Sequence, residues 1–303
     1  MAIGKQDLYL KNSFTLLKEW NLMRTGVKIS RLDSASRTNL RLNVKVICSI
    51  CKNEVKPVFD EFVLYKYKVF YFYCDQCGFL QTEKPYWLKE AYKNSINICD
   101  TGQLVRNLYL AKFSLVLISF LGDTKSKFLD YASGYGVFVR LMRDLGLDFY
   151  WYDPYTENIF AKGFEYNKKD KYNVVTCFEC FEHLSNPLSE IKKMLEISNT
   201  LIFSTETIGD YPPSKEWAYY GFNHGQHISF YSKKSFHKIA SIFDLNYYSF
   251  GWLHLFSKHK LNQFQLFLLS NKFFVTGLFF LLKQNLKSKT INDFDLLNKR
   301  SFL

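Results

Sequence analysis

The chain has 303 residues, 48% hydrophobic and 18% aromatic, with a formal net charge of +12. That length is a prior for about two domains, and the hydrophobic share is ordinary for a packed globular protein. The N-terminus lacks an apolar core long enough for a secretory signal. The longest apolar run near the C-terminus, Phe273 to Leu282, is broken by Thr276 and Gly277 and falls far short of the roughly 20 residues of a membrane span.

Residues 1–43 form an N-terminal extension. Phe14, Leu16, Leu17, Trp20 and Leu22 have helical spacing, and Arg31 to Arg41 reads as a basic loop. No function is read from this segment. Residues 44–84 carry Cys48-Ser49-Ile50-Cys51 and Cys74-Asp75-Gln76-Cys77-Gly78. Each Cys-x-x-Cys turn places two thiolates on one side of a knuckle, and two knuckles give tetrahedral sulfur ligation. The β-rich segment Val58 to Tyr73 is the hairpin expected to join them. The set resembles a zinc ribbon: structural Zn2+ held by Cys48, Cys51, Cys74 and Cys77, a closed site without chemistry of its own.

Residues 85–255 are expected to form the larger domain. Pro85 to Tyr92 reads as a short helix. Asp100-Thr101-Gly102 opens a longer helix through Leu121, with Asp100 or Thr101 as candidate N-cap and Arg106 in its first turns. Then come a strand ending in Asp130, a small-residue loop Ala132 to Gly136, a helix from Val137 stopped by Gly146, and a strand, Phe149 to Tyr152, leading into Asp153. This is the layout of a nucleoside-binding βαβ unit: the glycines let backbone approach a ligand, and the second acid accepts from ribose hydroxyls. The pyrophosphate-binding glycine spacing is absent, because valine stands at its sixth position.

Asn173 to Cys180 reads as a buried strand, with Cys177 and Cys180 as core thiols on opposite faces. It runs into Glu182-His183 at the carboxyl end of the sheet, where ligands sit. Leu201 to Thr207 is the next strand. An aromatic loop follows, Trp217 to Ser232, with Tyr220, His224, Gln226 and His227, before a helix near Lys233. Leu245 to Phe250 is strand-like, and residues 256–303 form a basic tail of amphipathic helices.

From about Asp100 to about Phe243 these motifs resemble class I S-adenosylmethionine-dependent methyltransferases. The resemblance implies an α/β, Rossmann-like, seven-stranded domain, here preceded by the small zinc-ribbon-like one. It implies that S-adenosyl-L-methionine is held by Asp130, Ala132, Gly134, Tyr135, Gly136, Asp153, Pro154, Phe178 and Glu179. Ala132 stands where the family usually has its first glycine, and Asn173 where it has an aspartate. The segment before the first strand is similar to the lead-in of zinc-bearing methyltransferases of glycan and sugar pathways, which gives Arg106 the cofactor carboxylate as partner. The aromatic loop resembles the substrate side of sugar methyltransferases, where a Glu-His pair supplies the general base. His227 matches that histidine, Gln226 replaces the glutamate, His183 is a further catalytic candidate, and Tyr220 and His224 are substrate contacts.

The function expected is therefore methyl transfer to a sugar, nucleotide-sugar or related small metabolite, in the cytoplasm. Two alternatives stand beside it. A ribbon joined to a basic chain also suits an RNA methyltransferase. The departures at Ala132, Asn173 and Gln226 also suit a non-catalytic cofactor-binding or scaffold protein. Nucleic acid is the less favoured partner, peripheral membrane contact is left open, and the oligomeric state is not legible.

Overall fold

The computed structural model describes residues 46–93, 100–122 and 124–300. The readings for the extension 1–43 lie outside them. Two sheets organise the described chain. The larger is six-stranded: β4 (Lys127–Tyr131), β5 (Asp148–Tyr152), β6 (Tyr172–Cys177), β7 (Thr200–Ser204), β10 (Asn246–Phe250) and β11 (Leu253–Ser257). Their order is β10-β11-β7-β6-β4-β5. The pairs β4–β5, β4–β6 and β6–β7 are parallel, and β11 runs antiparallel to both neighbours.

The expected seventh strand is reduced to one parallel bridge, Trp151 with Glu165, beyond the β5 edge. Residues 153–171 instead spend their polar groups on turns, such as the Asn158 side chain that accepts from the Ala161 N–H at 2.9 Å. The strands β4, β6 and β7 are buried almost throughout. That explains why they read as apolar runs rather than alternating ones.

Helices cover both faces. On one lie α2 (Gln103–Phe120), α3 (Val137–Asp144) and the tail helices α6 (Gln263–Ser270) and α7 (Lys272–Gln284), sharing a core around Phe113, Val116, Phe128 and Phe279. On the other lie α4 (Pro187–Ile197) and α5 (Lys233–Ile242), with the cysteine knuckles at their side. The last helix, α8 (Thr290–Arg300), is pinned to α3 by the buried Arg143–Asp293 pair, at 2.8 Å through both guanidinium arms. The first short helix, α1, is Leu88–Ala91.

The smaller sheet contains β1 (Lys56–Val63), β2 (Tyr67–Tyr73), β3 (Leu80–Thr82), β8 (Thr207–Ile208) and β9 (Ser229–Ser232), in the order β1-β2-β3-β9-β8. The hairpin expected between the knuckles is β1–β2. Sequence spacing did not reveal that β3 pairs antiparallel with β9, so the sheet crosses the sequence boundary at residue 84. The cysteine-bearing unit and the loop before α5 are one hydrogen-bonded layer.

One local expectation is corrected. The strand carrying Cys177 ends there, so Cys180 is not on its opposite face. The neighbouring Cys180 thiol, together with burial, pushes Cys177 well up. Both remain core thiols.

Candidate active site

The site grows from the carboxyl ends of β4 and β6. Asp130, the penultimate residue of β4, is 3% exposed and accepts from the Thr176 hydroxyl at 2.5 Å. Burial pushes its carboxyl up to about 7. The loop that follows is left-handed at three positions: Ala132 (φ 57), Gly134 (φ 54) and Gly136 (φ 86). Alanine at the first position carries a cost on the order of 1 kcal/mol that glycine would not.

The two glycines differ in their reason. A Cβ on Gly136 would stand 3.0 Å from the Ala161 Cβ and 3.1 Å from its backbone nitrogen, whereas a Cβ on Gly134 would meet nothing within 4 Å. Gly136 packs the loop; Gly134 faces open space beside the sheet edge.

Asp153 braces that loop. Its Oδ2 accepts from the Gly134 N–H at 2.9 Å, and its Oδ1 accepts from the N–H groups of Tyr155 and Thr156 at 2.8 and 3.0 Å. The Trp151 indole donates to the Gly134 carbonyl at 2.7 Å, so Gly134 is held on both sides. The Tyr135 carbonyl accepts from the N–H groups of Ile159 and Phe160. Pro154 is exposed next to Asp153, and the Phe178 ring lies 4.8 Å from that of Phe138. An acid, a bare turn and a second acid thus line one edge, an arrangement that fits a nucleoside with a short charged arm.

Arg106 is found with partners of its own. It donates to both Asp100 oxygens at 2.7 Å, and its Nε lies 3.5 Å from the Glu179 carboxylate. Asp100 therefore serves the arginine, and α2 begins without a side-chain cap, contrary to the N-cap alternative. A cofactor carboxylate would have to share or displace Asp100. Glu179 has φ 49 and is locked by Ser204, whose hydroxyl accepts from its N–H and donates to its Oε1, both at 2.8 Å.

The histidines converge. Glu182, His183 and His227 bring one donor atom each within 4.8 Å of one another. The rings of His183 and His227 are 5.0 Å apart, and His224 lies 4.8 Å from His227. Tautomers follow from the partners, because a carbonyl only accepts. The His227 Nδ1–H donates to the Tyr219 carbonyl at 2.5 Å, and the His183 Nδ1–H donates to the Gln226 carbonyl at 3.0 Å. His224 is opposite: its Nδ1 accepts from the Gln226 N–H at 3.2 Å. Burial, with the neighbouring His183, pulls His224 down to about 4, so it is neutral near pH 7. Burial also lowers His183.

Glu182 is 1% exposed, and its Oε2 has no hydrogen-bond partner among the described residues. Burial raises its carboxyl, against the hydroxyls of Tyr219 and Thr205 and the positive charge of Arg106.

Two assignments change. Tyr220 is fully buried and donates to the Pro213 carbonyl at 2.9 Å, so it packs the core rather than facing a substrate. Gln226 is buried too, and its amide donates to the Ala91 carbonyl at 2.9 Å; it anchors the loop to α1. The residue that sequence reasoning missed is Tyr219. Its carbonyl orients His227, its ring lies 4.7 Å from that histidine, and its hydroxyl is 3.2 Å from the Thr205 hydroxyl. One aromatic among several in that loop gave no signal of this.

The four cysteine sulfurs also converge, each within 4.8 Å of the rest; Cys48 to Cys77 is 3.5 Å and Cys51 to Cys74 is 3.3 Å. Four sulfurs about 2.3 Å from a zinc ion stand roughly 3.8 Å apart, so the set fits a tetrahedral centre after a small expansion. The knuckles match: each is followed by a residue at positive φ, Lys52 (63) and Gly78 (70).

Residues 106–249, a little under half of the chain, match the family described as a methyltransferase domain. With the acid–turn–acid edge above, that match places a methyltransferase domain over this part of the chain. Three of the similar solved structures are distant in sequence. The plantazolicin methyltransferase BpumL is 17% identical, with 63% of this chain and 86% of that one covered and a TM-score of 0.42. Magnesium protoporphyrin IX methyltransferase from Synechocystis PCC 6803 is 10% identical, with 57% and 90% covered and a TM-score of 0.33. The mitomycin 7-O-methyltransferase MmcR is 10% identical, with 56% and 59% covered and a TM-score of 0.35. At these scores the overlays carry no residue assignment. No curated protein gave a significant match.

Proposed function

We propose that the enzyme methylates a hydroxyl of a sugar, nucleotide-sugar or related small metabolite, with His227 as general base and a structural zinc ion on the four cysteines. The observation that carries the base is the Tyr219 carbonyl on Nδ1, which fixes the tautomer with the proton on Nδ1 and the lone pair on Nε2. Bound S-adenosyl-L-methionine supplies an electrophilic methyl on a sulfonium. The chain's own residues do the rest. Asp130, the Ala132–Gly136 turn and Asp153 position the adenosyl and methionine parts; Arg106 is the cation available to the carboxylate. His227 takes the proton of the acceptor hydroxyl, whose oxygen displaces a neutral thioether from the methyl carbon. Glu182, within 4.8 Å, supplies the carboxylate that Gln226 lacks and favours the imidazolium that results.

A small, partly polar acceptor is favoured because the histidines lie under a loop clamped to the smaller sheet. The Trp87 indole donates to the Gly225 carbonyl at 2.8 Å, and the Leu64 N–H to the Phe222 carbonyl at 2.7 Å. His227→Ala should lower kcat by about two to four orders of magnitude while cofactor affinity, measured by calorimetry, stays within about threefold. Unchanged turnover removes the base. Methylation of RNA with a steep salt dependence, and none of free nucleotide-sugars, would move the acceptor to nucleic acid.

A further inference from the structure

Helices α6 and α7 carry far more apolar surface than the fold uses. Helix α7 is apolar over most of its circumference, with Lys272, Thr276 and Lys283 on one narrow stripe. Its inward face, with Val275 and Phe279 buried, packs on α2. Its outward face shows Phe273 (84% exposed), Leu281 (61%) and Phe280 (39%) at helical spacing. A helix with apolar side chains on its outward as well as its packed face has a second apolar surface to cover, by another part of a core or by lipid. Helix α6 adds Phe264 (68%) and Phe267 (58%). The Phe267 and Phe274 rings touch at 5.4 Å across the turn between the helices, joining both exposures into one patch.

The charge along the chain that forms the patch has one sign. From Lys258 to Asn292 the chain contains no aspartate or glutamate, while lysines stand at 258, 260, 272, 283, 287 and 289. Lys260, Lys272 and Lys287 are exposed. An apolar aromatic patch flanked along its own chain by exposed lysines complements a surface that is apolar below and anionic above, which is an acidic lipid headgroup layer. A second copy of the same face would bring lysine against lysine.

We propose that α6 and α7 seat this enzyme on anionic membranes, with the Phe and Leu side chains in the acyl boundary and the lysines among the headgroups. The pair lies in the interface and does not span. Helix α7 has 13 residues, about 20 Å at 1.5 Å per residue against a hydrocarbon core near 30 Å. It is bent 99° from α6, so the two cannot form one straight segment. This anchor is independent of the acceptor's identity.

Full-length protein incubated with phosphatidylcholine vesicles containing phosphatidylglycerol should float with them. With pure phosphatidylcholine, or in about 0.5 M salt, binding should fall at least about tenfold, because headgroup attraction decays within a Debye length. Phe273→Glu and Lys272→Glu should each weaken flotation several-fold with the same melting temperature and circular dichroism, since both side chains are exposed. No binding to the anionic vesicles, or equal binding to both compositions, overturns the proposal. So does light scattering that finds a dimer which Phe273→Glu dissociates, with no vesicle binding.

Discussion

At the residue scale, the first strand's acid works against the fold. Asp130 is buried, and its folded pKa of about 7 exceeds its ordinary 3.8. The folded state therefore holds a proton that the unfolded chain has released. Stability falls as pH rises from about 4 to about 7 and is flat above. Asp130→Asn should remove that slope, leaving the variant at least as stable as the parent at pH 8 by thermal melting. It should also lose cofactor affinity at least tenfold, because the carboxylate is gone from the turn. A variant with the parent's pH slope would show that Asp130 is not the titrating group. Ala132 is the same kind of residue: φ 57 is tolerated there, not favoured, and strain of this sort is retained where a neighbouring site requires the conformation.

At the element scale, the loop between the short 3-10 turn Ala218–Tyr220 and β9 owes its shape to glycine. Gly225 has φ 66, and a Cβ there would stand 2.5 Å from Val63 Cγ1 and 3.2 Å from both Leu64 and Trp87. That close approach is what fastens the histidine loop to β1 and α1. Gly225→Ala should push the loop off the smaller sheet and displace His224 and His227. We expect kcat to fall at least about tenfold with cofactor affinity unchanged, since the Asp130–Asp153 edge lies on the other sheet. Loss of cofactor binding in step with kcat would mean the two sites are not separable.

At the scale of the whole molecule, the cysteine cluster supports the histidine loop. The Cys77 carbonyl accepts from the Ser232 hydroxyl at 3.4 Å, and Ser232 caps α5 by accepting from the Ser235 N–H at 3.1 Å. A Cβ on Gly78 would meet that same hydroxyl at 2.4 Å. The knuckle therefore sits on the helix cap that follows β9, and β9 pairs with β3. Cys74→Ser should abolish bound zinc, measured by elemental analysis as a drop from about one ion per chain. It should also reduce turnover more than cofactor affinity, because the layer that holds the histidines loosens first. Full zinc content in that variant would dismiss the ligand set.

Much of this was legible in the chain itself. Buried parallel strands are continuous apolar runs, so β4, β6 and β7 stood out. Local chemistry gave the Cys-x-x-Cys knuckles, the βαβ turn with its two acids, and the tail helices. The hairpin β1–β2 followed from alternation. Other features had no local signal. The β10–β11 pairing was half missed because Leu253–Ser257 is short and fully buried. The seventh strand shrank to one bridge because side-chain turns captured its backbone.

The sequence determined the parts whose cause lies within a few residues: periodicity, turn chemistry, ligand spacing and charge. Only the tertiary structure decided the partnerships between distant residues. It set β3 against β9, gave Arg106 to Asp100, turned Gln226 and Tyr220 inward, and placed Glu182 and the Tyr219 carbonyl around His227. Those choices depend on which backbone and side-chain groups meet after burial, and a hydrogen bond or an excluded Cβ across a hundred residues leaves no periodic trace in the chain.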